Sequence, residues 1–494
     1  MEINSIFQIL PTEIRQEIFK KLNRGSLFNS LLVNRQFCLE IVPILWESPL
    51  ELAYRYRKHE IFAKLTREYE IIVSVYVGCF SEAAWEYLGS NQVNRPYAMW
   101  QPTFKYASFS RHYEITRVND AVDAWITQNL YYPTDKHLSI RKALTVSLSR
   151  LLLNESTSLH SLTNDFQYDQ EIWGVITKEC SIEKIFGNLK ELNVAHFSLG
   201  NNSRMFFENL ANTCHSIQRI TFTGHGLNIE EKITTKALRH MMKAQSELQW
   251  IRLRHLSSIE SRIICNTLSS KNLQAIEFIR IDFNCFSADN EIPGLSACVN
   301  LICLSFRYCT ALEQPCWFET AKSFKKLERL SIRLPSHMEP PTDLVAEIVK
   351  ASGNNLQYLL VENHNHSSHA TYINKIFPLI ILNSRNLRAI NLLNLGVNNL
   401  STLMESCPKL YHLDLYTEHL DDAFFNTLAR ELRPTIKSLK LILPGRRIRA
   451  SAEPFIRFLY GAHNLEYFSF HPFNLYESYG TLIKNHGIKS ECSM

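Results

Sequence analysis

Leu301-Ile302-Cys303-Leu304-Ser305-Phe306-Arg307-Tyr308-Cys309-Thr310-Ala311-Leu312 sets apolar residues at 301, 304 and 306, and again at 309 and 312. The alternation of Leu304 and Phe306 is that of a short strand with one apolar face. The same pattern, apolar-x-x-apolar-x-apolar, starts also at Leu189, Ile217, Leu248, Leu273, Leu327, Leu356, Leu387, Leu410, Ile436 and Leu465, eleven copies in all. Leu159-x-x-Leu162 is a degenerate twelfth at the N-terminal end.

The intervals run from 23 to 31 residues and average about 28, the range of leucine-rich repeats. Some twenty residues between strands suffice for a returning helix, and Thr234 to Ser246 and Asp421 to Arg433 read as two of them. One such unit cannot bury its own apolar face, so neighbours must stack. The expected fold is an α/β solenoid, a horseshoe with a curved parallel sheet inside and helices outside. The uneven intervals and the frequent loss of the Asn/Cys position depart from the most regular arrays. Cys309 fills that position and reads as a buried structural thiol. Tyr476, Tyr479 and Leu482, beyond the last strand, predict a packed C-terminal cap.

The remaining composition excludes more than it proposes. The chain has 494 residues, 45% hydrophobic and 20% charged, a profile that buries a core and does not resemble disorder. A net charge of +5 over this length does not imply a polyanion partner. Fifteen glycines are few, which speaks against glycine-cradled phosphates, and twelve cysteines without a Cys-x-x-Cys pair read as reduced thiols of a cytoplasmic or nuclear protein. No signal peptide is read at Met1, and the longest apolar run, Ile376 to Leu382, is too short to span a membrane, so no membrane is expected.

The first fifty residues are of a different kind. Leu10-Pro11 and Glu13 mark a helix start, Ile14, Ile18 and Leu22 share a face beside Phe19, Gly25 reads as a break, and further apolar stretches run from Leu27 to Leu32 and from Phe37 to Leu45-Trp46. Three short helices cannot bury all of these against one another. The module is either a helical cap on the next domain or a docking surface. Leu10-Pro11-x-Glu13-Ile14, Ile18-Phe19, Leu22, Leu31-x-Val33-Asn34-Arg35-x-Phe37 and Leu45-Trp46 resemble, in order and spacing, the F-box family. The resemblance implies binding to the adaptor Skp1 and, through it, to a cullin and a RING subunit of a ubiquitin ligase. Carried over residue by residue, the adaptor-facing set is Leu10, Pro11, Ile14, Ile18, Leu22, Val33, Phe37 and Trp46. The expected division is an F-box at 1–50, a mostly helical connector at 51–150 that is similar to the segment after the box in fungal F-box proteins, and the repeats with their cap at 151–494. The connector's turn signals are Asn94-Arg95-Pro96 and Tyr132-Pro133-Thr134-Asp135, and a helix is read from Glu114 to Ile126.

No catalytic signature is present: no Gly-x-Ser-x-Gly, His-Glu-x-x-His, Walker loop or Gly-x-Gly-x-x-Gly. No cofactor or metal is expected. His364-Asn365-His366-Ser367-Ser368-His369 reads as a polar loop, and Arg446-Arg447-Ile448-Arg449 as a basic loop with a short nuclear-import signal as the alternative. The functional candidates are strand positions facing away from the core: Arg219, Trp250, Arg252, Arg254, Glu277, Arg307, Arg329, Arg333, Tyr358, Glu362, His412, Tyr416 and Lys440. Six arginines against one glutamate over five successive strands predict a positive face suited to an acidic or phosphorylated protein target; a solvated face of side chains that avoid one another is the alternative. The reading is a non-enzymatic substrate-recognition subunit of an SCF-type ligase. The alternatives are a scaffold without ubiquitination and, more weakly, nucleic-acid binding.

Overall fold

Each of the eleven repeats opens a strand two residues after its first apolar position: β3 (Glu191–Ala195), β4 (Arg219–Thr223), β5 (Trp250–Arg254), β6 (Ala275–Ile279), β7 (Cys303–Arg307), β8 (Arg329–Arg333), β9 (Tyr358–Glu362), β10 (Ala389–Leu393), β11 (His412–Tyr416), β12 (Ser438–Ile442) and β13 (Tyr467–His471). The degenerate copy opens β2 (Ser161–Asp165), and a strand absent from the sequence reading, β1 (His112–Glu114), precedes it. The computed structural model describes residues 10–55, 62–95, 102–129, 136–165, 182–196, 201–224, 232–268, 272–286, 291–335, 337–362, 369–393, 397–416, 421–432, 434–442, 452–462 and 464–471. His364 to Ser368 of the histidine cluster, the Arg446 loop, the 132–135 turn and the expected cap lie outside these residues.

The chain divides into two compact units, one of Met1–Ile220 with Glu231–Gln245, the other of Thr221–Glu230 with Ser246–Met494. In the first, three short helices, α1 (Thr12–Lys21), α2 (Arg24–Leu31) and α3 (Arg35–Leu45), are followed by helices Pro49–Arg55, Phe62–Gly78 and Glu82–Ser90. Then β1 pairs in parallel with β2, and β2 with β3. The parallel ladder therefore begins inside the stretch read as a connector. Ser110-x-x-Tyr113-x-Ile115 is a thirteenth copy, with all three residues buried. Serine stands where leucine is expected, its Oγ donating to the His112 carbonyl at 3.3 Å. The helix expected from Glu114 to Ile126 runs from Ile115 to Asn129.

In the second unit β5 to β13 pair in unbroken chain order, every pair parallel. A helix or short helical turn joins each strand to the next, among them Ser258–Thr267, Pro315–Ala321, Thr342–Ser352, Asp422–Glu431 and Ala452–Gly461. The expected helix from Asp421 matches, with Asp421 as its cap: Phe424 N–H donates to its Oδ1 at 2.8 Å. In the first unit, Lys232–Ala244 fulfils the other. This strand-and-helix repeat at leucine-rich spacing buries its apolar positions almost completely: Leu301, Leu304 and Phe306 are all 0% exposed. Burying each such side chain contributes about 1.5–3 kcal/mol. Phe278 of β6 and Phe306 of β7 stack with ring centres 5.2 Å apart, and Trp317 of the following helix closes edge-on against Phe283 at 4.9 Å.

The strands end in a repeated local strain. His255, Arg280 and Tyr308, each directly after a strand, take φ of +50°, +51° and +55°, a left-handed conformation that disfavours any residue with a Cβ. The ladder compensates, because their N–H groups donate to Ile279 O at 3.0 Å, Arg307 O at 2.8 Å and Arg333 O at 2.6 Å, extending the pairing by one residue. Cys309 follows, 1% exposed, its thiol pushed up to about 12 by burial, as suits a structural position. No single helix among the described residues is long and apolar enough to cross a membrane; the apolar run from Ile376 lies in helix His369–Asn383 with Pro378 inside it.

Candidate functional site

Two surfaces bear the sequence-derived candidates. The first is built by α1 to α3. α1 starts after Pro11, whose carbonyl accepts from Arg15 N–H at 3.1 Å, and stops at Lys21. Gly25 does not break it; Asn23 ends the connection by capping α2, accepting from Ser26 N–H at 2.9 Å, so Gly25 lies within α2. Asn34 caps α3 through Phe37 N–H at 2.8 Å. Phe19, Leu27 and Ile41 form the interior, with Leu22, Leu31 and Phe37 packed on it and the Phe19 and Phe37 rings edge-on at 5.2 Å. α1 is also clamped to α3 by an ion pair: Arg15 Nε donates to Glu40 Oε2 at 3.0 Å, and Nη2 to Oε1 at 2.5 Å. Both side chains are almost wholly covered, 5% and 7% exposed, and Arg15 Nη1 donates also to the Leu10 carbonyl.

That interior leaves a large apolar remainder outside. Ile14, Ile18 and Val33 of the expected adaptor-facing set are exposed, as is Pro11. Leu10, Leu22 and Phe37 are half-buried, and Trp46 packs on Tyr76 at 5.3 Å and Tyr106 at 4.3 Å. Three further exposed residues were not in the set: Phe28 (58%), Leu32 (72%) and Leu39 (53%). The signal for Leu32 was the run Leu31-Leu32-Val33, of which a helix can turn only part inward. Six large apolar side chains between Ile14 and Leu39 are thus exposed to solvent.

The second surface is the solvent side of the strands. Here the expected unopposed arginines turn out to be largely paired. Glu277, 6% exposed, sits opposite Arg252 in the register, is ion-paired to it, and takes Arg307 Nε at 3.0 Å on its other oxygen. Arg333 Nε meets Glu362 at 2.6 Å. In the first unit Arg219 meets Glu191 at 3.1 Å. Arg252 also lies over Trp250 at 4.4 Å. Of the six arginines, Arg254 and Arg329 form no ion pair with a described carboxylate. The Arg254 guanidinium is held below its usual pKa, first by burial and then by Arg252 and Arg307. Arg329 covers the Tyr358 ring at 4.4 Å. His412 bridges Ser438 Oγ at 2.8 Å and Asp414 Oδ1 at 3.0 Å, and Lys440 lies opposite Asp414 in the register. Tyr416 ends β11, and its side chain is outside the described residues. The sequence reading missed Arg280, Tyr308, Arg388 and Tyr411, which stand just before or after strands. Tyr308 has Arg280 and Arg333 each 6.0 Å from its ring centre.

No family model matches the chain. No curated protein matches it either. Solved structures that resemble it include the leucine-rich repeat-containing protein LegL7 from Legionella pneumophila, 12% identical over 57% of this chain and 90% of that one, with a TM-score of 0.35. Others are Rad7 in its complex with Elc1 from yeast (16% identity, 67% and 88% coverage, TM-score 0.32) and TLR13 in its complex with ssRNA13 (14%, 65% and 36%, 0.29). The α/β repeat architecture rests on the strand ladder and repeat spacing, to which likenesses of this size add nothing.

Proposed function

We propose that the chain is a substrate receptor of an SCF-type ubiquitin ligase, docking on Skp1 through α1 to α3 and holding a protein target on its repeats. The observation that carries this reading is the exposed apolar set Ile14, Ile18, Phe28, Leu32, Val33 and Leu39 on a module whose sequence resembles an F-box. An apolar face of this kind costs solubility and is maintained where a partner covers it. Ubiquitin transfer then belongs to other subunits, and the chain needs no catalytic residue of its own.

Co-purification tests it. The full chain is expected to recover Skp1 and a cullin, and the Ile14→Asp, Ile18→Asp double variant to lose that capture by about 30-fold or more, since apolar contacts at the centre of an interface commonly carry about 2 kcal/mol or more. Both residues are exposed, so the variant should melt as the parent does. A parent that recovers no Skp1, or a folded variant that recovers it equally, would sink the receptor reading. Target capture that continues without any ligase subunit would favour the scaffold instead.

A further inference from the structure

At the N-terminal ends of β8 to β11 the repeats gather a group that no ion pair among the described residues absorbs. Arg329 opens β8 and Tyr358 opens β9, while Arg388 directly precedes β10 and Tyr411 directly precedes β11. The register sets Arg329 opposite Tyr358, Tyr358 opposite Ala389 and Ala389 opposite His412, so these side chains rise from neighbouring strands along one rim. Adjacent strands lie about 4.8 Å apart. The Arg329 guanidinium carbon is 4.4 Å from the Tyr358 ring centre, and the Tyr358 and Tyr411 hydroxyl oxygens are 3.4 Å apart. Tyr411, then Arg329 and Arg388, hold the Tyr358 phenol below its usual pKa. Among the described residues, neither Arg329 nor Arg388 forms an ion pair with a carboxylate, in contrast to Arg252, Arg307 and Arg333.

We propose that Arg329, Arg388, Tyr358 and Tyr411 form a binding site for a phosphate monoester carried by a protein target. The proposal rests on the receptor role above and names the chemistry of its substrate. Two guanidinium groups without a carboxylate partner among the described residues match the charge of a phosphate monoester, between about −1.5 and −2 near neutral pH, which also offers three acceptor oxygens. A carboxylate supplies half the charge and fewer acceptors. Guanidinium groups pair bidentately with phosphate, and a hydroxyl pair held at 3.4 Å is loose enough to turn toward it.

The probe is a pentapeptide of four glycines around a central phosphoserine, titrated calorimetrically into the full chain beside its serine and glutamate forms and a single-stranded DNA oligonucleotide. The phosphopeptide is expected to saturate with a Kd of about 1 mM or tighter, the glutamate form at least about tenfold more weakly, and the serine form not at all. Arg329→Gln and Arg388→Gln should each weaken the phosphopeptide by about tenfold or more and Tyr411→Phe by severalfold, while Arg219→Gln, on the other unit, should have no effect. Equal binding of the phosphoserine and glutamate forms, a silent Arg388→Gln, or tighter binding of the oligonucleotide with a steep salt dependence would overturn the proposal. Skp1 capture by the Arg329→Gln, Arg388→Gln double variant separates the two readings. Retained capture with lost phosphopeptide binding supports both, whereas absent capture in the parent condemns only the receptor role.

Discussion

Trp317→Ala is expected to cost about 3–5 kcal/mol, the range for removing a large aromatic from a closed core. Trp317 is 0% exposed in helix Pro315–Ala321 and meets rings from three successive parts of the array: Phe278 at 5.9 Å, Phe283 at 4.9 Å and Phe306 at 5.2 Å. In a stacked array each repeat is held mainly by its neighbours, so a cavity here weakens two interfaces at once and should split one cooperative transition into two. Hydrogen exchange reads this directly, with the amides of β6, β7 and β8 losing protection ahead of β11 and β12. Trp317→Phe is the informative control. The indole Nε1–H is buried with no hydrogen-bond acceptor among the described residues, so phenylalanine removes an unsatisfied donor along with some volume. It should cost under about 1.5 kcal/mol. If alanine and phenylalanine cost the same, ring packing is not what closes this core.

The same residues show what the sequence could say. Phe278 and Phe306 hold the sixth place of consecutive repeats and were read as core, because the apolar pattern specifies a strand face wherever one side is buried. The strand β1 escaped because Ser110 and Tyr113 replace the first two apolar residues of its copy, and a hydroxyl that bonds the His112 carbonyl fills the place without adding hydropathy. The arginine face was misjudged for a different reason: charges were counted as though each side chain stood alone. Arg252 and Glu277 hold the same place in consecutive repeats, as do Arg333 and Glu362, and a parallel in-register ladder sets such residues side by side. That pairing was recoverable from the spacing once the ladder was assumed. Glu277 also taking Arg307 was not, since it depends on a diagonal reach by one long side chain. Arg388 and Tyr411 went unread because they lie one residue outside their strands, where alternation gives no direction. In the N-terminal module, the order of apolar residues gave the helices but not their faces. Arg15, nominally a surface residue, is buried, and Leu32 and Phe28 are not.

Replacing Arg15 by Met should impair adaptor docking although Arg15 itself is not exposed to a partner. The guanidinium holds the Glu40 carboxylate with two hydrogen bonds and the Leu10 carbonyl with a third, and Gln36 Nε2 donates to the same carboxylate at 3.1 Å. Methionine keeps the packing and removes these bonds of the guanidinium together with the one from its Nη2 to Thr12 Oγ1 at 3.2 Å, stranding a charge under α1 and freeing the segment that leads into Ile14 and Ile18. Skp1 capture is expected to fall by about tenfold or more. Arg15→Lys should restore little, because an ammonium cannot reproduce the paired geometry of the fork. Arg15→Met with Glu40→Leu should recover much of the loss, since an apolar pair of similar volume avoids the stranded charge. The acid response arises from the same contact. Hydrogen bonding to Arg15 holds the Glu40 carboxyl below its usual pKa, against a smaller opposing effect of burial. A carboxylate with a depressed folded-state pKa stabilises the fold above its unfolded pKa, near about 4.3, and that contribution disappears as pH falls through the lower folded value. The parent module should therefore loosen below about pH 4.3, read as the melting of α1 to α3, and the apolar double variant should be flatter over that interval. Equal acid sensitivity in parent and double variant would show that Arg15 and Glu40 are not the clamp on α1.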